Sequence, residues 1–271
     1  MQPTIALCYD FDGTLCPRYM QEYGYIPQLG VKPKKFWKMA MDLAKEQNAD
    51  PILCYMFLMV REAGMHNGVE LTRASFQKHG KGIDFFPGVT EWFGRMNRFA
   101  KSKGVNLEHY IISSGIKEMI EGCRIGKEFK TIYASSFLYD QNGIAKWPSM
   151  AVNYTTKTQF LFRINKGCLD VWNTTGINAY QPMEKRPVPF SQMIFIGDGE
   201  TDVPCMSLVK NMGGYSVAVH KPGATAKKKA RILLDEGRVN LISEADYSAG
   251  SVLDRELRKK IGETATAIKR D

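Results

Sequence analysis

The sequence predicts an α/β protein built on a doubly wound, Rossmann-like parallel sheet. Short apolar segments at 5–9, 109–112 and 193–196 alternate with amphipathic segments, and each is followed within a few residues by acidic, hydroxyl or glycine residues. Strands that alternate with helices form parallel sheets through right-handed crossovers. Open α/β sheets bind ligands at the carboxyl ends of their strands. The alternation therefore predicts both the architecture and the position of a functional site.

Composition and charge narrow the class of protein. The chain has 271 residues, of which 44% are hydrophobic and 24% charged, and it carries a net charge of +9. This length suits one large domain, or one domain with an insertion. An excess of basic over acidic residues favours anionic substrates, nucleic acid or acidic surfaces as partners. The lysine-rich runs at 227–229 and 258–260 lack interleaved aromatic residues, so we expect solvated helix faces there and no nucleic-acid partner.

Cysteine usage and hydropathy predict a cytoplasmic protein. The six cysteines are scattered and contain no Cys-x-x-Cys pair, which favours reduced thiols over a disulfide or zinc framework. The longest apolar run, at 52–60, is too short to cross a bilayer. The N-terminal residues do not have the pattern of a secretory signal. We therefore expect no membrane anchor.

The first strand delivers two carboxylates. Asp10 and Asp12 follow the apolar segment 5–9 and are separated by one residue, so in an extended strand both point the same way. Gly13 lets the backbone turn or approach a ligand closely. Such a pair can divide the work of nucleophile and proton donor, or it can hold a divalent cation. Two aspartates before a glycine also occur in an ordinary turn.

The next part of the chain predicts helices without a strand. Apolar residues recur at helical spacing over 35–47, and Asp50-Pro51 is typical of a helix N-terminus. The helix that starts there is apolar almost all round, which predicts a central place in a small bundle. A shorter helix is expected at 72–79. We therefore divide the chain into a core at 1–16 and 85–271 and a helical insertion at 17–84.

The α/β alternation resumes with an amphipathic helix at 89–103, followed by a strand that ends in Ser113-Ser114-Gly115. Hydroxyls and free backbone amides at a strand-to-helix turn suit a phosphate group, although a serine there also serves as an ordinary helix cap. The segment 131–152 predicts two strands joined by a turn. A helix capped near 155 carries Lys157 in its first turn, and the proline-rich segment 168–189 predicts a long loop or a small insertion.

A third strand, at 193–196, is followed by Gly197-Asp198-Gly199 and by Asp202. It resembles the first strand, because an apolar run again ends in acidic residues. A helix is expected to about residue 211, short strands at 215–219 and 239–242, and a terminal helix at 250–261.

The acidic and phosphate-binding motifs together resemble those of the haloacid dehalogenase (HAD) superfamily of phosphotransferases. The segment Asp10-Phe11-Asp12-Gly13-Thr14 resembles its first motif, and Ser113, Lys157 and the 198–202 segment follow in the order of the other three. The layout is similar to that of phosphoserine phosphatases, which carry a helical cap between motifs one and two. The resemblance identifies 17–84 as that cap.

The resemblance also implies a role for each motif residue. Asp10 matches the nucleophile that forms an aspartyl phosphate, and Asp12 matches the general acid and base. Ser113, with Ser114 and Gly115, is expected to bind the phosphate together with the Lys157 cation. The implied cofactor is Mg²⁺, and the groups that match its ligands are Asp198, the Asp10 carboxylate and the Asp12 backbone carbonyl. Asp202 is expected to support either the metal or Lys157 without binding substrate.

These expectations define an Mg²⁺-dependent phosphomonoesterase that acts on a small phosphorylated metabolite. A phosphotransferase or phosphomutase would use the same residues, and a non-catalytic basic binding protein is a third alternative. Arg18, Arg61 and Arg73 are candidates to bind a second anionic group. The resemblance carries over no specificity residue within 17–84, where Tyr19 and Glu22 are the nearest candidates.

Overall fold

The structure is a computed structural model that describes residues 3–65, 68–199 and 201–270. Its centre is a seven-stranded sheet with the spatial order β4-β3-β2-β1-β5-β6-β7. Neighbouring strands are parallel except β3 and β4, which form an antiparallel hairpin. In chain order the strands β1 to β7 are Thr4–Tyr9, Asn106–Ile116, Thr131–Tyr139, Ala145–Met150, Met193–Gly197, Tyr215–His220 and Leu241–Glu244.

Helices cover both faces of the sheet. In chain order α1 to α11 are Tyr25–Gln28, Pro33–Gln47, Pro51–Met65, Arg73–Gly80, Val89–Ser102, Lys117–Gly122, Thr158–Lys166, Thr174–Asn178, Val203–Asn211, Ala224–Asp235 and Val252–Ile268. The predicted α/β class with a mostly parallel sheet is confirmed. In the described parts of the chain, no helix combines the length and apolarity that a membrane crossing requires.

The side chains of the central strand β1 are buried on both faces of the sheet. Ile5 and Leu7 belong to one buried cluster, which includes residues of α5 and α11, whereas Ala6 and Cys8 belong to a second cluster with residues of α7 and α9. Successive side chains of a strand point to opposite faces. A parallel strand buried on both faces is therefore a continuous apolar run, as the sequence predicted.

The segment 17–84 is helical, as expected, and the division of the chain at its ends stays a prediction. Its described residues form helices α1 to α4 and one 3₁₀ turn, and an isolated bridge joins Thr72 to Ile144 of the hairpin. The Asp50 carboxylate accepts hydrogen bonds from the backbone amides of Ile52 (2.7 Å) and Leu53 (3.2 Å). Asp50 is thus the N-cap of α3, in agreement with the sequence.

The predicted central place of α3 is wrong. The helix packs against α2 and β4, and its outward face leaves Leu53 and Phe57 41% and 50% exposed. An all-round apolar helix is buried only where partners surround it. In this chain the partners cover one side.

The segment 168–189 is more ordered than a loop. It contains α8 and a 3₁₀ turn at Met183–Lys185. The buried Arg163 guanidinium of α7 donates hydrogen bonds to the carbonyls of Asp170 (2.7 Å) and Val171 (3.0 Å). These bonds fix the start of the segment against the core.

Candidate active site

The polar groups at the ends of β1, β2 and β5 meet because these strands are neighbours. Tyr9 pairs with Ile111 of β2 on one side and with Ile196 of β5 on the other. The backbone amide of Asp10 donates to the Ile196 carbonyl at 2.9 Å. Asp10, Ser113 and Asp198 therefore lie at the same carboxyl edge, where parallel sheets bind ligands.

Lys157 connects two of the aspartates. Its fully buried ammonium lies 3.0 Å from Asp10 Oδ1 and 2.7 Å from Asp202 Oδ1. Burial opposes the charged form, but the two carboxylates outweigh that effect and raise the pKa of Lys157 above its ordinary value. The lysine is therefore a permanent cation beside Asp10.

A short 3₁₀ turn places Lys157. Asn153 and Thr156 form a capping box at the start of the turn Tyr154–Lys157. The backbone amide of Asn153 donates to Thr156 Oγ1 at 2.8 Å. The sequence predicted Lys157 in the first turn of a helix, and the structure places it at the junction between this turn and α7. The side chain enters the core from there.

Asp202 is completely buried and uses both of its carboxylate oxygens. One oxygen accepts from Lys157, and the other accepts from the backbone amide of Asp198 at 3.1 Å. Burial and the negative charge of Asp10, opposed by Lys157, together raise the pKa of Asp202 to about 6. A Cβ at Gly197 would lie 2.4 Å from Asp202 Oδ2, so glycine is required there. Asp202 thus orients Lys157 and the Asp198 loop.

Three carboxylates form a group that can hold a metal ion. One oxygen from each of Asp10, Asp198 and Asp202 lies within 4.8 Å of the others. Gly13 has a φ of +82°, and a Cβ at this position would lie 2.1 Å from Asp198 Oδ2. The possible ligands are carboxylate oxygens, and three carboxylates carry more negative charge than the single Lys157 ammonium neutralises. Hard divalent cations prefer such oxygen ligands. The donor set therefore fits Mg²⁺.

Asp12 lies in a different environment from Asp10. Its Oδ1 accepts hydrogen bonds from the Met20 amide (2.9 Å) and from the Cys16 thiol (3.3 Å). Burial raises the pKa of Asp12 to about 8, and the charge of Asp10 contributes to the increase. Two neighbouring carboxyls in such different environments can divide the roles of nucleophile and acid.

The Ser113-Ser114-Gly115 segment lies beside Asp12. Ser113 Oγ is buried and accepts from the Gly115 amide at 3.1 Å. Ser114 Oγ has no hydrogen-bond partner among the residues that the structure describes. A Cβ at Gly115 would lie 2.1 Å from Met20 Cε and 3.2 Å from Asp12 Oδ2. Glycine at this position therefore lets the backbone come close to Asp12 and to the Met20 side chain.

Comparisons with known proteins agree on the fold. No family model matches the chain. An uncharacterized protein of Borreliella burgdorferi is 28% identical, and the match covers 95% of this chain and 96% of that protein. A HAD family hydrolase of Salmonella enterica serovar Typhi is 16% identical over 90% of this chain and 69% of its own, with a TM-score of 0.57. A phospho-aspartyl intermediate analogue of phosphoserine phosphatase is 15% identical over 95% and 99%, with a TM-score of 0.54.

The chain has the haloacid dehalogenase fold. The predicted resemblance to the HAD superfamily is confirmed at the level of the fold, as is the layout similar to phosphoserine phosphatases. The residues that this fold places at the carboxyl edge of the sheet are those that the sequence singled out. Their catalytic and metal-binding roles stay predictions.

In this HAD fold, a cleft of about 1560 Å³ contains the predicted site residues Asp10, Asp12, Ser113, Ser114, Gly115, Lys157 and Asp198. The cleft continues along the insertion and along α10. Lys166, a second lysine at the end of α7, donates instead to the carbonyls of Ile177 and Ala179 at 2.7 and 2.8 Å. Lys157 is therefore the lysine of this site.

The three candidate arginines have different positions. Arg18 lines the cleft, its guanidinium lies 4.0 Å from the centre of the Tyr23 ring, and Asp84 is 3.9 Å away. Arg61 pairs with Glu62 at 2.6 Å, and Arg73 pairs with Glu118 at 3.4 Å. Arg18 is the member of this set that reaches the cleft.

The sequence interpretation missed several residues that contact the site. Cys16 and the Met20 amide hold Asp12, and the Tyr55 hydroxyl donates to the Ser114 carbonyl at 2.5 Å. Cys16 is in an irregular segment, and Tyr55 is on α3, whose sequence is mostly apolar. No periodicity or motif distinguishes such residues, because their position depends on how the insertion packs against the core.

Proposed function

We propose that this protein is an Mg²⁺-dependent phosphomonoesterase that hydrolyses a small phosphorylated metabolite in the cytoplasm. The observation that carries the proposal is the difference in environment between the Asp10 and Asp12 carboxyl groups. Asp10 contacts the Lys157 ammonium at 3.0 Å, whereas burial raises the pKa of Asp12 to about 8. An ionised nucleophile beside a protonated acid is what phosphoryl transfer to an aspartate requires.

In the first step the Asp10 carboxylate attacks phosphorus. The bond between phosphorus and the alcohol oxygen breaks, and Asp12 gives its proton to that oxygen, so a neutral alcohol leaves and an aspartyl phosphate remains. Phosphoryl transfer depends mainly on positioning and on stabilising negative charge that is spread over the phosphoryl oxygens. Lys157, Ser113 Oγ and the amides of the 113–115 segment supply that stabilisation.

In the second step water hydrolyses the aspartyl phosphate. Asp12, now ionised, takes a proton from water as the water oxygen bonds to phosphorus. The bond between phosphorus and Asp10 breaks, and inorganic phosphate leaves. The net reaction is a phosphomonoester and water giving an alcohol and phosphate.

The Asp10 and Asp198 carboxylates and the Asp12 backbone carbonyl would hold Mg²⁺. When bound, the ion neutralises negative charge on the nucleophile and the phosphate, which lowers their mutual repulsion. Asp202 stays hydrogen-bonded to Lys157 and to the Asp198 amide, so it supports both without contacting substrate.

Residues 17–84 form a cap over this site in our proposal. The cleft is lined by residues of both the sheet edge and α2 and α3. Approach of the cap to the core would exclude bulk water from the aspartyl phosphate. The cap would also contact the alcohol part of the substrate.

The test is phosphate release from a panel of phosphomonoesters with and without Mg²⁺, using wild type and Asp10→Asn. We expect Mg²⁺-dependent release that falls at least about 10³-fold in the variant, because the nucleophile is lost. Asp42→Asn, at a solvent-exposed aspartate of α2, is the matched control and should retain the activity. Full turnover by Asp10→Asn would contradict the proposal. Transfer of phosphate to added alcohols in preference to water would replace it by a phosphotransferase.

A further inference from the structure

The cap side of the cleft is aromatic. Tyr19, Trp37 and Tyr55 line it. The ring centres of Tyr19 and Trp37 are 4.9 Å apart with planes inclined by 56°, and those of Trp37 and Tyr55 are 5.6 Å apart at 74°. We call these three residues the aromatic wall.

Hydrogen bonds hold two of the three residues of the aromatic wall in place. Trp37 Nε1 donates to Glu22 Oε1 at 2.8 Å, and the Tyr55 hydroxyl donates to the Ser114 carbonyl at 2.5 Å. Phe36 is fully buried behind Trp37, with ring centres 5.3 Å apart. Tyr19 is nevertheless 55% exposed and Trp37 is half-buried. Trp37 and Tyr55 are therefore fixed by hydrogen bonds, and Tyr19 and Trp37 keep ring surface that packing does not cover, whereas Tyr55 is buried.

The aromatic wall adjoins the residue that would protonate the leaving alcohol. Tyr19 precedes Met20, whose amide donates to Asp12 at 2.9 Å. Burial raises the pKa of the Tyr19 hydroxyl, and the carboxylates of Asp12, Asp198 and Glu22 raise it further. Tyr19 thus lies in the field of both the catalytic aspartates and Glu22. The alcohol that leaves phosphorus with the proton from Asp12 would meet these rings.

Glu22 and Gln21 supply electronegative groups beside the aromatic wall, and the cations Arg18 and Lys34 line the same cleft. Glu22 presents a carboxylate to the cleft, and Gln21, which is buried, has a side-chain oxygen without a hydrogen-bond partner among the described residues. The faces of aromatic rings are also negative, and sets of such rings bind quaternary ammonium groups. Lys34 lines the same cleft, so a second anionic group on the substrate is the competing possibility.

We infer that the aromatic wall, with Glu22 and the Gln21 oxygen, binds a cationic alcohol, and that the preferred substrates are phosphate esters of quaternary amino alcohols. This inference rests on the proposed phosphatase function and specifies its substrate class. The cation stays unchanged in the reaction. Its binding energy positions the ester oxygen beside Asp12.

The test compares phosphocholine with 3,3-dimethylbutyl phosphate, which has the same shape without the charge. Acetyl phosphate, whose leaving group is small, serves as the reference, and phosphoglycolate tests recognition of a second anion. We expect kcat/KM for phosphocholine to exceed that for the neutral analogue about tenfold, as a partly desolvated cation–π contact predicts. Equal values for the two esters, or a preference for phosphoglycolate, would overturn the inference.

Ring-specific variants distinguish recognition from simple packing. Tyr19→Leu and Trp37→Leu should reduce the tenfold ratio to about twofold, whereas Tyr19→Phe, which keeps a ring, should retain most of it. Phe57→Leu is the matched control, because Phe57 is an exposed aromatic residue of the same helical segment outside this cleft. A ratio that is unaffected by Tyr19→Leu and Trp37→Leu would refute the role of the aromatic wall.

Direct binding separates failure of the inference from failure of the proposed function. Saturation-transfer NMR should detect contact between choline methyl groups and wild-type protein, and the signal should weaken in Trp37→Leu but not in Phe57→Leu. No phosphate release from any ester, with choline still bound at the aromatic wall, would refute the phosphatase proposal and support the cation site. Release from acetyl phosphate without choline binding would refute the cation site alone.

Discussion

Lys157 is a buried cation that depends on the two carboxylates it contacts. Its ammonium is within 3.0 Å of oxygens of both Asp10 and Asp202. The order of the motifs in the sequence predicted that Lys157 and Asp10 lie in the same site. It left open whether Asp202 supports the metal or the lysine, because that depends on where each carboxylate oxygen points. The structure directs one oxygen to Lys157 and the other to the Asp198 amide.

Replacement of Lys157 by methionine should destabilise the metal-free protein by about 3 kcal/mol at pH 8, because it leaves buried carboxylates without their counter-charge. The double variant Lys157→Met/Asp202→Asn should recover at least about half of that loss, since one of the uncompensated charges is gone. Urea denaturation would measure both. Lys166→Met, which removes a partly exposed lysine of the same helix, should cost under about 1.5 kcal/mol. Additive losses in the double variant would contradict the coupling.

At the scale of elements, the sequence predicted the strands and helices that carry local signals. β1, β2 and β5 each contain a short apolar run, and α3 begins at its Asp50 cap, so local patterns sufficed. The exposed face of α3 was not predicted, because it depends on partners distant in sequence. The order in 168–189 was not predicted, because it depends on where the buried Arg163 guanidinium points. The aromatic wall was likewise inaccessible, since its three rings come from separate elements.

A hydrogen-bonded chain joins α5 to the two central strands. Trp92 Nε1 of α5 donates to the Tyr9 hydroxyl of β1 at 2.9 Å, and that hydroxyl is 2.9 Å from His109 Nδ1 of β2. His109 Nε2 is 2.9 Å from Asn97 Oδ1 of α5. With Nδ1 accepting from Tyr9 and Nε2 donating to Asn97, a neutral imidazole satisfies both bonds. A charged imidazole would place a second proton against the Tyr9 hydroxyl.

Burial accordingly lowers the pKa of His109 to about 3. Between that value and the unfolded pKa near 6.5, the unfolded chain binds a proton that the folded chain does not, so stability falls as the pH decreases. From pH 7 to pH 5 this group should remove about 2 kcal/mol from the free energy of unfolding. Urea denaturation of wild type and His109→Gln at both pH values would measure it. The stability difference between the two proteins should shrink by that amount, and a pH-independent difference would show that His109 does not titrate as described.

At the scale of the whole molecule, the order of the strands in the sheet brings the site residues together. Asp10 lies near the start of the chain, whereas Asp198 and Asp202 lie close to residue 200, yet β1 and β5 are adjacent in the sheet. The carboxylates come within 4.8 Å of one another only when the sheet is complete. An ion bound to them would therefore stabilise the entire fold, since the unfolded chain does not assemble the site.

Mg²⁺ at about 100 times its dissociation constant should add about 2.7 kcal/mol to the free energy of unfolding of wild type. For a chain of this size that corresponds to a rise in Tm of about 5–10 °C. Asp198→Asn should abolish the rise, because it removes a ligand, whereas Asp42→Asn on the exposed face of α2 should retain it. Differential scanning calorimetry with and without Mg²⁺ measures the shift independently of any substrate. An equal rise in Asp198→Asn would place the ion elsewhere, and the proposed role of Asp198 would be wrong even if the enzyme proved to be a phosphatase.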